Sequence, residues 1–111
     1  MKISKVDESG IYFDNGKSIT HYHKKECCED NYADYEQLEE LAFSTEFDED
    51  LLFEVEVDSG FRFGNEGKMF FVPCYSVQNG YYSAYIIILY DSKVVCDFRA
   101  DERQCHPKYV K

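Results

Sequence analysis

Short apolar runs punctuated by turn residues dominate the chain. Ile3–Val6 and Ile11–Phe13 flank Glu8-Ser9-Gly10, and Asp14-Asn15-Gly16 separates Phe13 from a further run at Ser18–His23. Asn-Gly between strand-like segments is a hairpin signal, because both residues tolerate the positive φ of a tight turn. Leu51, Phe53, Val55 and Val57 alternate with Leu52, Glu54, Glu56 and Asp58. A period of two predicts a half-buried strand with a mainly acidic outer face. Phe61–Phe63 and Met69–Tyr75 flank Gly64-Asn65-Glu66-Gly67 and predict another hairpin. Pro73 belongs at that strand's edge or end, since it has no N–H to give a ladder. Gln78-Asn79-Gly80 turns the chain into Tyr81–Tyr90, whose stretch Ile86-Ile87-Ile88-Leu89 is apolar on both faces and predicts a central strand. Asp91-Ser92 leads into a last strand at Lys93–Phe98, and a polar tail from residue 101 is expected to be loosely ordered.

One segment breaks this rhythm. Tyr35, Leu38, Leu41 and Ala42 recur at helical spacing, with Asp34 at an N-cap position and Gln37 three residues on. The spacing predicts a helix over about 34–44. Tight turns make neighbouring strands antiparallel. The expected fold is therefore α+β: one strongly bent antiparallel sheet or small barrel of six to eight strands, with a single helix covering a face or opening.

The chain has 111 residues, enough for one domain spanning 1–111, and its 44% hydrophobic content can build a core. Five cysteines, an odd number at irregular spacings, fit reduced thiols better than a disulfide scaffold. No apolar run approaches a membrane span, and the first residues lack the apolar core of a signal peptide. A cytoplasmic protein with no membrane partner is expected.

Charge changes the picture more than composition does. The formal net charge is −10, which argues against direct binding to nucleic acid or anionic membranes. From Glu26 to Phe61 there are 14 acids and no Lys or Arg, whereas the rest of the chain has 8 acids and 12 bases. Like charges at adjacent helix or strand positions are each destabilising by a few tenths of a kcal/mol. Their accumulation hints at use. Glu36, Glu39, Glu40, Asp48, Glu49, Asp50, Glu54, Glu56 and Asp58 are the candidate partner-binding residues. On a strand, Glu54, Glu56 and Asp58 would recur every ~6.6–6.8 Å, close to the spacing of backbone phosphates. Such a surface could occupy a basic groove on a nucleic-acid-binding protein. A solvated, solubilising face is the plainer reading. Asp48-Glu49-Asp50 lacks the residue pattern of a calcium loop.

His21, His23, Cys27 and Cys28 form the densest chemical cluster. Two His at i and i+2 on a strand face the same way, and with one or both thiols they could supply tetrahedral zinc ligands; Cys105-His106 could add more. The spacing matches no standard zinc finger. A small zinc-binding domain is one alternative function. A small enzyme or small-molecule binder using a Cys–His pair is another, although neither a phosphate loop nor an oxyanion device accompanies it. The rings of Phe70, Phe71, Tyr75, Tyr81, Tyr82 and Tyr85 are expected mainly to pack the sheet, with some left exposed for binding.

Two stretches carry a resemblance. His23-x3-Cys27-Cys28-Glu29 with Tyr32-Ala33-Asp34, and Gly60-Phe61-Arg62-Phe63 leading to Pro73-Cys74-Tyr75 and Gln78-Asn79-Gly80-Tyr81-Tyr82-Ser83, resemble a family of small uncharacterised proteins of bacteria and of phages or other mobile elements. The resemblance spans about residues 11–90. It implies a cytoplasmic, phage-related setting and, by analogy only, an inhibitor of a host nuclease. It implies no catalytic residues.

Overall fold

The computed structural model describes residues 1–22, 30–77 and 84–103. Among the described residues ten strands form two sheets. The first has the order β1-β2-β3-β8-β9, built from β1 (Ile3–Asp7), β2 (Gly10–Phe13), β3 (Ser18–Tyr22), β8 (Tyr85–Tyr90) and β9 (Lys93–Arg99). The second has the order β10-β7-β6-β5, built from β5 (Leu52–Glu56), β6 (Gly60–Asn65), β7 (Lys68–Val77) and β10 (Asp101–Arg103), with β4 (Asp30–Ala33) also pairing β7. Pairing is antiparallel throughout except for β10 on β7.

Local chemistry explains the hairpins. The Asp7 carboxylate accepts the backbone N–H of Ser9 (2.8 Å) and Gly10 (3.2 Å), which fixes the β1–β2 turn. Asn15 Oδ1 accepts the Lys17 N–H at 3.1 Å in the β2–β3 turn. At Asp91-Ser92 both residues hold positive φ, 50° and 64°, as a two-residue hairpin demands. β8 lies between β3 and β9, the central position its two-sided apolarity predicts; Ile86 and Ile88 are fully buried.

The α+β expectation is overturned: the chain is nearly all sheet, in two sheets and not one bent sheet, neither sheet closes into a barrel, and no α-helix occurs among the described residues. The helix expected over 34–44 is two 3-10 turns, Tyr35–Gln37 and Glu40–Ser44. Leu38 (ψ 134°) and Glu39 (ψ 135°) are extended and separate them. Three physical reasons combine. Eleven residues are marginal for a helix. Glu36, Glu39 and Glu40 have no base nearby in sequence to offset their repulsion. The Asp34 carboxylate accepts the Gln37 side-chain amide (2.7 Å) and does not cap the backbone. Burial of Tyr35, Leu38 and Ala42, which a helix would have served, is achieved by two short turns and an extended link.

Three further differences follow from topology. Pro73 lies inside β7, where pairing passes from β6 to β4: Gly60 of β6 faces it, and its carbonyl accepts the Asp34 N–H (2.8 Å). Asp101–Arg103, expected within a loose tail, form β10. Val57 is 65% exposed, because β5 ends at Glu56 and the chain turns through Asp58, whose φ is 66°.

One core joins both sheets. Phe47, from the connection between β4 and β5, stacks within 5.6–5.8 Å of Phe13 on the first sheet and of Phe63 and Phe70 on the second. Phe61 meets Phe98 at 6.4 Å. Offset and edge-on rings at these separations add to their area burial. Phe47 thereby plugs the acidic connection into the core.

Candidate functional site

The chain crosses from one sheet to the other between β3 and β4. That crossing brings His21, at the end of β3, beside Asp30–Ala33 of β4 and the first 3-10 turn. Together with the β1–β2 turn they line an open cleft of about 590 Å³. Its carboxylates are Glu8, Asp30, Asp34 and Glu36; its rings are His21, Tyr32 and Tyr35; among the described residues no Lys or Arg lines it.

The floor is built from fixed groups. Tyr35 is fully buried, and its Oη shares a 2.9 Å hydrogen bond with His21 Nδ1. Burial pushes the Tyr35 phenol far above its ordinary range, so it stays neutral and hydrogen-bonding at any ordinary pH. Tyr32 packs its ring 5.6 Å from Tyr75, whose hydroxyl accepts the Gln37 side-chain amide at 3.1 Å. Beneath, the buried Asn31 gives its amide to the Tyr85 carbonyl (3.1 Å) and accepts the Ser76 hydroxyl, which ties β4 to both sheets. Four carboxylates around aromatic faces suit a cationic group. Among the described residues the thiols of Cys74 and Cys96 are buried, and burial raises both, Cys96 to about 11, so neither is an activated nucleophile.

The structure divides the nine sequence-predicted acids into groups. Glu36, Glu39 and Glu40 project, exposed, from or beside the two 3-10 turns. Asp48, Glu49 and Asp50 follow Phe47 on the same connection and are exposed. None of these six has an ion-pair partner among the described residues. Glu49 Oε1 accepts the Asn15 amide at 3.4 Å. Glu54, Glu56 and Asp58 differ. Arg62 of β6 pairs with Glu56 and rests over the Phe71 ring, and Arg99 of β9 pairs with Asp58 at 3.3 Å. Asp58 also lies in a turn beyond β5, so the three do not form one straight row.

Of the four candidate zinc ligands, His21 is in the cleft, while His23, Cys27 and Cys28 lie outside the described residues. Among the described residues no three His, Cys, Asp or Glu side chains come together as a metal site. Much of the two motifs behind the family resemblance, including Gln78–Ser83, is likewise outside them. No helix among the described residues is long and apolar enough to cross a membrane.

The cleft escapes sequence reasoning because Glu8 and Ser9 are separated from Asp30–Glu36 by two strands, and only the register joins them. Asp30 and Asp34 counted toward the acidic segment, but nothing in the linear pattern set them apart. No family model, curated protein or solved structure matches the chain.

Proposed function

We propose that this protein is a non-enzymatic acidic binder that docks onto a basic protein surface, such as the groove of a nucleic-acid-binding protein, and that the cleft receives one of that surface's cationic side chains. One observation carries the reading. Residues 30–58 contribute 12 carboxylates and no Lys or Arg, and six on the β4–β5 connection stand exposed without an ion-pair partner among the described residues. Charges gathered within a screening length of ~8–10 Å act together, steering a positive partner and repelling nucleic acid itself. Phe47 and the Met1 amine, which donates to the Phe47 carbonyl (2.7 Å) and pairs with Glu46 (3.1 Å), hold the connection to the core. The backbone that carries Asp48, Glu49 and Asp50 is thereby held next to an anchored residue before binding, which lowers the chain entropy lost on association. A cytoplasmic, phage-related role as an inhibitor of a nuclease is the form of this proposal that fits the family resemblance.

The test is titration with a labelled, lysine-rich peptide at rising salt. Wild-type protein should bind with an affinity that falls steeply as salt rises, and the triple variant Glu36→Lys, Glu39→Lys, Glu40→Lys should lose at least tenfold. Binding unchanged by the reversals would overturn the proposal. Reversing Glu56 or Asp58 is a poorer probe, because each leaves an arginine without its partner.

A further inference from the structure

Two large apolar side chains stand in the middle of this acidic region. Leu41 is 49% exposed and Phe43 45% exposed, and they alternate along the second 3-10 turn with Ala42, which is fully buried. Leu41, Phe43, Glu40 and Ser44 line a shallow, open hollow of about 500 Å³. The turn that presents them is fixed. The Ala42 N–H donates to the Glu39 carbonyl (3.0 Å), and the hydroxyls of Thr45 (2.9 Å) and Ser44 (3.1 Å) both donate to the Leu41 carbonyl. Glu36, Glu39, Glu40 and Glu46 surround the pair in sequence, all exposed.

An apolar centre inside a charged rim is the anatomy of a protein-binding hot spot: the centre is desolvated on docking, and the rim excludes water and sets orientation. We infer that Leu41 and Phe43 are the apolar anchors of the acidic docking surface, and that the occupant is a basic protein segment carrying an apolar side chain among its lysines or arginines. This rests on the proposed acidic binding. Charge decides among occupants. A second copy would bring the same acids, at a net charge of −10, against this rim. Nucleic acid and anionic lipid would be repelled for the same reason.

The test uses the whole chain and two fluorescein-labelled ten-residue peptides at low salt. One contains lysine and glycine only; in the other, two glycines are replaced by leucine. Wild-type protein should bind the leucine peptide roughly five- to tenfold more tightly. The variant Leu41→Ser/Phe43→Ser should lose that difference while binding the lysine–glycine peptide within about twofold of wild type. Nuclear magnetic resonance on wild-type protein supplies a readout free of folding effects: the Phe43 ring signals should shift with the leucine peptide and not with the other. Equal affinity for both peptides, or unshifted Phe43 signals, would overturn the anchor assignment and leave the acidic surface intact. Failure of both peptides to bind would overturn the acidic reading, and the anchors with it.

Discussion

The Tyr90 hydroxyl donates a 2.6 Å hydrogen bond to the backbone carbonyl of Glu49, linking the end of β8 to the acidic connection 41 residues earlier. The same ring lies 5.7 Å from Phe53 and 6.4 Å from Phe13, and Lys17 Nζ is 5.7 Å from its centroid. Desolvation, aided by Asp91, Glu49 and Asp50, raises the phenol to about 12. Tyr90→Phe keeps the ring and removes the bond. It should cost about 1 kcal/mol of stability and lower the Tm by about 4 °C, read by thermal denaturation. An unchanged Tm would show that the Tyr90–Glu49 link contributes nothing.

Gly60 is where β6 passes closest to Pro73. A Cβ there would lie 2.1 Å from the Val72 carbonyl oxygen and 2.9 Å from Pro73 Cα, both backbone atoms that cannot swing aside. Gly60→Ala should destabilise by roughly 2–4 kcal/mol or prevent folding. Gly67→Ala is the comparison. Its Cβ would meet nothing within 4 Å, and only its positive φ of 80° opposes the change, so the loss should be about 1 kcal/mol. Chemical denaturation of the two variants should show this order; the reverse order would contradict the β6–β7 packing.

Ser92 holds φ 64° in the β8–β9 turn with a side chain that disfavours it. Glycine at the second central position suits this turn. Ser92→Gly should therefore stabilise the protein by about 0.5–1 kcal/mol, with release of strain offset in part by a freer unfolded chain. A lowered denaturation midpoint would count against the turn geometry.

Alkaline pH should unfold the protein earlier than acid repulsion alone would suggest. Cys96 moves from 9.0 to about 11 and Tyr90 from 10.0 to about 12, and burial also raises Tyr35 and Cys74. Each folded-state value lies above its unfolded one. The stabilisation is thus complete below pH ~9 and is lost as pH climbs through the folded values, because the unfolded chain releases these protons first. Circular dichroism melts between pH 8 and 12 should show a falling Tm from about pH 9. Within the folded protein, iodoacetamide at neutral pH should leave Cys74 unmodified by peptide mapping, whereas denaturant should expose it. A Tm that stays level to pH 11 would refute the first expectation, and rapid Cys74 labelling the second.

Strand positions were readable because alternation and turn chemistry are local. Asp7 and Asn15 fold their own turns, and a two-sided apolar run such as Ile86–Leu89 has few places to go other than a sheet interior. The spacing in 34–44 does not separate a helix from what forms, because burial at i, i+3 and i+7 is satisfied equally by a helix or by two 3-10 turns joined by an extended link. Leu38 and Glu39 chose the latter, under like-charge repulsion that helical spacing does not reveal. The acidity of residues 26–61 was plain in the sequence, but Arg62 and Arg99 come from later strands, so their pairing with Glu56 and Asp58 was not.

The amino-acid order by itself determined the short strands, most of the turns and an acid-rich stretch free of bases, since each depends on neighbours a few residues apart. The fold decided what those parts make: two sheets sharing Phe47, a cleft that unites Glu8 with Asp30 and His21, and which carboxylates pair with an arginine of a later strand. Those outcomes depend on contacts between residues tens of positions apart, whose registers are set only when the apolar faces of both sheets are buried together.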